Sequence, residues 1–159
     1  MDIQVADERR LVEAMLDRQR SEITHLLDDL TDSEARRQLV TSLTTPLGLV
    51  KHAIFVEKVW FHSRVAGLSR RAVGLVDSVD ESFQLDDSDT VSAIRDQFLA
   101  ACAHSRVVAQ TRRLDDQFSW HHTEVSLRFI YQHLIAELAR HAGHGDILVE
   151  QIKSQRRER

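Results

Sequence analysis

Apolar residues recur at helical spacing through four long stretches of the chain, with charged residues filling the opposite positions. The first runs from Asp7 to Leu30, where Leu11, Met15, Ile23, Leu26, Leu27 and Leu30 form the apolar stripe and Glu8, Arg9, Arg10, Asp17, Arg18 and Arg20 the solvated face. A second opens at Thr45-Pro46, an N-cap followed by proline at the first helical position, and runs to about Ala66 before Gly67. Its stripe is Leu49, His52, Ala53, Val56, Val59 and Trp60. The third is capped by Asp89 and extends from Thr90 to about Thr111, burying Val91, Ile94, Phe98, Ala101, Cys102, Ser105 and Val108. The fourth, Thr123 to Lys153, carries Leu127, Ile130, Tyr131, Leu134, Leu138, Ala142 and Leu148 on one side.

Between them lie shorter pieces. Thr31-Asp32-Ser33-Glu34 has the form of a capping box and predicts a short helical piece ending near Leu39. The acidic run of Asp77, Asp80, Glu81, Asp86, Asp87 and Asp89 reads as a solvated loop, with a short helix around Ser78 to Phe83 as the alternative. Arg112 to His122, containing Trp120, is a connector. Four long helices with no heptad run and no internal repeat predict an all-α fold, a four-helix bundle. Gly143 and Gly145 either bend or end the last helix, or allow close backbone approach.

Three residues break the apolar pattern in the same way. Glu137 and His141 lie one turn apart within or beside the stripe of the fourth helix, and His52 occupies a stripe position near the start of the second. A carboxylate and imidazoles turned toward a core are costly unless partnered, so either a metal ion or a hydrogen-bond network must satisfy them. Glu137 and His141 from one helix with His52 from a facing one make three protein ligands, a set that suits Zn²⁺, or Ni²⁺ and Fe²⁺ with less discrimination. Such a count leaves positions open for water or substrate, as catalytic sites do.

Composition narrows the classes. At 159 residues the chain fits one domain, residues 1–159. One proline and five glycines are too few for a sheet protein with many tight turns. The formal net charge of −4 argues against a general nucleic-acid partner. A single cysteine excludes an internal disulfide framework and fits a reducing compartment. No apolar run reaches the ~18 residues of a membrane span, and Met1 to Asp7 lacks the basic and apolar regions of a signal peptide, so a cytoplasmic location is expected. Cys102 reads as a buried inert thiol, and Arg128 as one half of a surface ion pair. His133, four residues before Glu137, is either half-exposed or a partner that orients it. His121 and His122 are read as surface, and His25, His62 and His104 as boundary residues.

Three segments carry a resemblance. Thr45-Pro46-Leu47-Gly48-Leu49-Val50-Lys51-His52, the following Val56-Glu57-Lys58-Val59-Trp60-Phe61, and Ser126-Leu127-Arg128 through His133 to Leu148 together resemble the DinB superfamily. Within it the sequence is similar to the mycothiol-dependent maleylpyruvate isomerases and the bacillithiol transferases of the YfiT-like group. The resemblance implies a bundle in which a divalent metal is held by a histidine of the second helix and two ligands one turn apart on the last. His52, Glu137 and His141 match these positions, the middle one being histidine in many members, and His144 is the substitute to consider first. It further implies a metal-dependent transferase or isomerase in which a low-molecular-weight thiol attacks a small electrophile, and it leans toward a homodimer. Set against this is a non-enzymatic bundle, metal-binding or metal-free, a dimeric protein of the stress response.

Overall fold

The bundle is built from helices α1 (Glu8–His25), α3 (Pro46–Glu57), α4 (Val91–Gln110) and α5 (Leu127–Arg156), with a short α2 (Asp32–Ala35) after the first. It is described here as a computed structural model covering residues 3–156; Met1 and Asp2, part of the amino-terminal stretch read above, lie outside it. α1 packs on α5 and α3 on α4, and α3 also meets α5, the contact that brings the two halves of the site together. The core between them is apolar, with Leu16, Ile23, Leu49, Phe61, Ile94, Phe98, Leu134 and Leu138 fully buried. Among the described residues no helix is long and apolar enough to cross a membrane.

The caps follow the local chemistry. Thr45 Oγ1 accepts from the Gly48 amide at 2.9 Å, and Pro46 takes the position where a missing N–H leaves nothing unsatisfied. The Thr31–Glu34 capping box forms in full at the start of α2. α4 is capped by Thr90, one residue after the expected Asp89. Asp89 instead sits buried with its carboxylate against Lys51 at 2.6 Å.

Four expectations change. α1 turns its face by one residue: Val12, Leu16, Arg20 and Ile23 point inward, while Met15 is 45% exposed. Arg20, placed above on the solvated face, is 5% exposed because its guanidinium meets Glu57, a carboxylate with no exposure, through two hydrogen bonds of 2.8 Å. The acidic stretch is not wholly loop: Asp80–Phe83 forms a 3₁₀ turn against α3, within the short helix around Ser78 to Phe83 that stood as the alternative. Thr123 does not cap the last helix; Gln117–Trp120 (β1) and Thr123–Ser126 (β2) form an antiparallel hairpin, and α5 begins at Leu127. The turn of that hairpin holds His121 at φ 53°, a left-handed conformation that the pattern of apolar residues does not announce.

The second long helix stops short of Gly67 (φ 74°), with Ala66 as its cap, and its geometry switches at Lys58 to a π-helix through Val65. α5 runs unbroken through Gly143 and Gly145. Gly145 is the close approach: a Cβ there would stand 2.4 Å from Leu26 Cδ1.

Candidate metal centre

His52 reaches the site from the second turn of α3, and its position depends on the 3₁₀ turn laid across that helix. Gly48, one turn earlier, permits this, because a Cβ at that position would come within 3.0 Å of the Phe83 carbonyl oxygen. With the turn seated, the Phe83 ring stacks on His52 with centroids 4.1 Å apart and planes inclined by 10°. Ser82 then lies beneath the imidazole, its Oγ 2.7 Å from His52 Nδ1. Because the Ser82 hydroxyl donates to the Val79 carbonyl at 2.5 Å, its oxygen is left to accept, which assigns the His52 proton to Nδ1. His52 Nε2 is thereby a bare lone pair, buried and without a hydrogen-bond partner.

That lone pair faces α5. Glu137 Oε1 stands 3.5 Å from His52 Nε2 and 3.1 Å from His141 Nε2. The three candidate ligand atoms lie within 4.8 Å of one another, and the His52 and His141 rings meet edge to face at 4.8 Å. Atoms bound to one tetrahedral zinc ion at ~2.0–2.1 Å stand roughly 3.3 Å apart. The two distances from Glu137 match that spacing while the set as a whole is wider, and the two imidazoles and single carboxylate are a donor set that suits a divalent cation. His144 is exposed, its ring 5.8 Å from that of His141, and is not part of the cluster.

The electrostatics agree with the geometry. Burial pushes the His52 pKa below the ordinary imidazole range, outweighing the opposing pull of Glu137, so the ring stays neutral. The hydrogen bond with His141, and then the contact with His52, hold the Glu137 carboxyl far below the usual carboxylate range. Its other oxygen faces Arg140 at 3.6 Å. The site thus presents an ionised carboxylate beside a neutral imidazole, the protonation states that ligation requires.

A cavity of about 320 Å³ opens on His52 and Glu137. Trp60 and Trp120, 5.5 Å apart, form one wall, and Phe55 and Val59 extend the apolar lining. His133 also lines it, packed on Trp60 at 4.6 Å and Phe129 at 5.8 Å, with its pKa lowered by burial. It makes no hydrogen bond to Glu137 that would orient the carboxylate, so its place is the cavity wall. Arg64 and Arg70 stand on the cavity's polar side with Asp77 and His121.

The remaining candidates fall elsewhere. Cys102 is buried, its thiol pushed well above the usual range by burial and then by the charge of Glu57. Arg128 pairs with Glu8 at 2.6 Å and with Asp115 at the surface, as expected. His62 is not a boundary residue but buried, with Nε2 3.1 Å from the Ala101 carbonyl and 3.2 Å from Ser105 Oγ. Ser82 and Phe83 went unnoticed in the sequence because they sit in an acidic loop without periodicity.

Residues 11–154 match the sequence profile of a family described as mycothiol-S-transferase. Among solved structures, the chain is similar to a DinB-like protein from Bacillus cereus, with a TM-score of 0.62 and 16% identity over 87% of this chain and 91% of that one. At that identity the likeness speaks to the fold alone. No curated protein sequence matches the chain.

Proposed function

Because the chain belongs to the mycothiol-S-transferase family, we propose that it transfers a low-molecular-weight thiol, of the mycothiol or bacillithiol kind, to a small electrophile at the His52–Glu137–His141 centre. The observation that carries this reading is the bare, buried Nε2 of His52, turned by Ser82 toward a carboxylate and a second imidazole at the head of a cavity. In this reading His52, Glu137 and His141 hold a divalent cation, Zn²⁺ first among the candidates. When bound, such an ion supplies a Lewis acid that lowers the pKa of a thiol and favours its nucleophilic thiolate.

The protein's own groups do the rest. Phe83 and Ser82 hold the His52 ring against rotation and keep its proton on Nδ1. Trp60, Trp120 and Phe55 offer flat apolar surface to an aromatic or alkyl electrophile. In this reading His133, which lines the cavity, accepts the thiol proton at a ring nitrogen. Cys102, buried and held protonated, takes no part, so the sulfur nucleophile comes from the cosubstrate.

The test is elemental analysis of purified protein followed by a thiol-conjugation assay with mycothiol and a chloromethyl-arene, with and without chelator. One equivalent of metal and metal-dependent loss of free thiol are expected. Protein that takes up no metal at micromolar concentrations, or that conjugates equally well after chelation, would overturn the proposal and favour the non-enzymatic bundle.

A further inference from the structure

Arg64 is a guanidinium without a counter-charge at the wall of this cavity. It projects from the π-helical segment, and its central carbon lies 4.3 Å from the centroid of the Trp60 ring. Nε donates to the Ser119 carbonyl of β1 at 2.9 Å, which fixes the plane of the group. Nη1 is buried and has no hydrogen-bond partner. Among the described residues no carboxylate forms an ion pair with it, and the charge nearest in effect is another cation, Arg70, which stands over Phe55 and donates to the Val76 carbonyl at 2.6 Å. Asp77 lines the same cavity and Glu137 its far end, the latter engaged with both histidines and Arg140. By contrast Arg9, Arg20 and Arg106, which line a second cavity of about 340 Å³ beside α1 and α4, are matched by Glu13, Glu57 and Asp17.

A buried donor atom left unpaired is costly, and a fixed guanidinium edge suits a planar carboxylate. The π-helix bears on this. Its wider turn changes the direction of residues 58–65 relative to an α-helix, and such segments recur at functional sites. Within it Trp60 and Arg64, four residues apart, are stacked on the same side, next to the hairpin strand that clamps the guanidinium.

We propose that Arg64, assisted by Arg70, is the carboxylate-recognition point of this cavity, and that the ligand turned over at the metal centre is an anionic one whose carboxylate sits against the Arg64 guanidinium. This rests on the transferase reading for what happens to the ligand, but not for its binding. The carboxylate belongs either to the electrophile or to the thiol, and both place the same chemistry on Arg64.

Two arms test it. In the first, metal-free protein is titrated with benzoate and with benzamide, its neutral isostere, following the fluorescence of Trp60 and Trp120, the chain's two tryptophans. Benzoate is expected to bind at least tenfold tighter, to lose that preference in Arg64→Met and to keep part of it in Arg64→Lys. Equal binding of the two by the unaltered protein overturns the proposal without any variant, as does a benzoate preference that survives Arg64→Met in folded protein. In the second arm, metal-loaded protein and mycothiol are given 4-(chloromethyl)benzoate or its methyl ester. A preference for the acid that Arg64→Met abolishes through the KM of the electrophile places the carboxylate there; because mycothiol carries no carboxylate, the arm is repeated with N-acetylcysteine, and a rise in Arg64→Met confined to the KM of that thiol places it on the cosubstrate. If conjugation never occurs but benzoate still binds through Arg64, the transferase reading fails and the carboxylate site stands.

Discussion

Ser82 Oγ lies 2.7 Å from His52 Nδ1 and 30 residues away along the chain, so a serine in the 3₁₀ turn Asp80–Phe83 sets the proton of a histidine in α3. Partners of this kind fix the tautomer and ring orientation of metal-binding histidines. Ser82→Ala should keep the fold and lower metal affinity by roughly 10–100-fold. Competition with a chromophoric chelator measures this, and unchanged affinity would mean that Phe83 stacking alone orients the ring.

Much of the centre was legible because its residues violate a periodic pattern. His52, Glu137 and His141 each interrupt an apolar stripe, and the structure brings all three together. The same test applied to α1 with the inward register Val12, Leu16, Ile23 would have exposed Arg20 as a fourth violation. It was hidden because Leu11 and Met15 supply an equally plausible stripe one residue earlier. Ser82, Phe83 and Arg64 were not legible, since their roles come from tertiary contact and from the change to π geometry at Lys58. The hairpin was missed because two strands of four residues, flanked by a turn at His121, are too short to show alternation.

The Arg20–Glu57 pair is the main charged tie between α1 and α3. Burial disfavours the Arg20 cation, yet the adjacent Glu57 carboxylate raises its pKa well above the ordinary value. Both hydrogen bonds to the Glu57 carboxylate come from Arg20, whereas Arg20 also holds Asp17 at 2.9 Å, so it is Arg20→Met that strands a charge in the core and should destabilise by roughly 3–5 kcal/mol in urea unfolding. The double replacement Arg20→Met with Glu57→Met should recover most of that loss. Equal losses for single and double variants would show that the pair contributes through packing and not charge.

Acid should weaken even the metal-free protein. Burial first of all lowers the pKa of His52, His62 and His133, so each folded imidazole takes up its proton later than the unfolded one, which titrates near ~6.5. The unfolded state therefore binds more protons below that pH, and stability is complete above about 6.5 and falls as pH drops through the folded values. His62 lies outside the metal centre, bonded to the Ala101 carbonyl, so part of the effect must survive chelation. A urea midpoint that stays level between pH 7.5 and 5.5 in chelated protein would contradict this.

Cys102 gives a test of where the sulfur comes from. Its buried, protonated thiol should react with an aromatic disulfide reagent at pH 8 only at the rate of unfolding. Cys102→Ala should retain metal content and conjugation activity. Loss of activity in folded, metal-loaded Cys102→Ala would assign the nucleophile to the protein.

His52 and His141 are separated by 89 residues in sequence (141 − 52), and their rings by 4.8 Å between centroids in the fold. Neither hydrogen-bonds the other; what links them is Glu137 and, in the proposed function, an ion shared by all three. If the ion is shared, His52→Ala and His141→Ala each lose most of it, and the double variant binds little less than either single one. Saturating metal should stabilise the parent by about 2.7 kcal/mol when its free concentration is a hundredfold above the dissociation constant, and that gain should vanish in both single variants. Glu137→Gln keeps the shape but removes the charge, so it should weaken binding without unfolding the bundle. The metal-dependent gain should also fade in acid, because protonated imidazole cannot ligate. The decisive quantity is the coupling between the two histidine replacements, measured as unfolding free energies with and without metal. A large coupling with metal that disappears on chelation identifies a shared ion. Additive losses under both conditions would instead make His52 and His141 two separately satisfied polar groups, each held by its own neighbours.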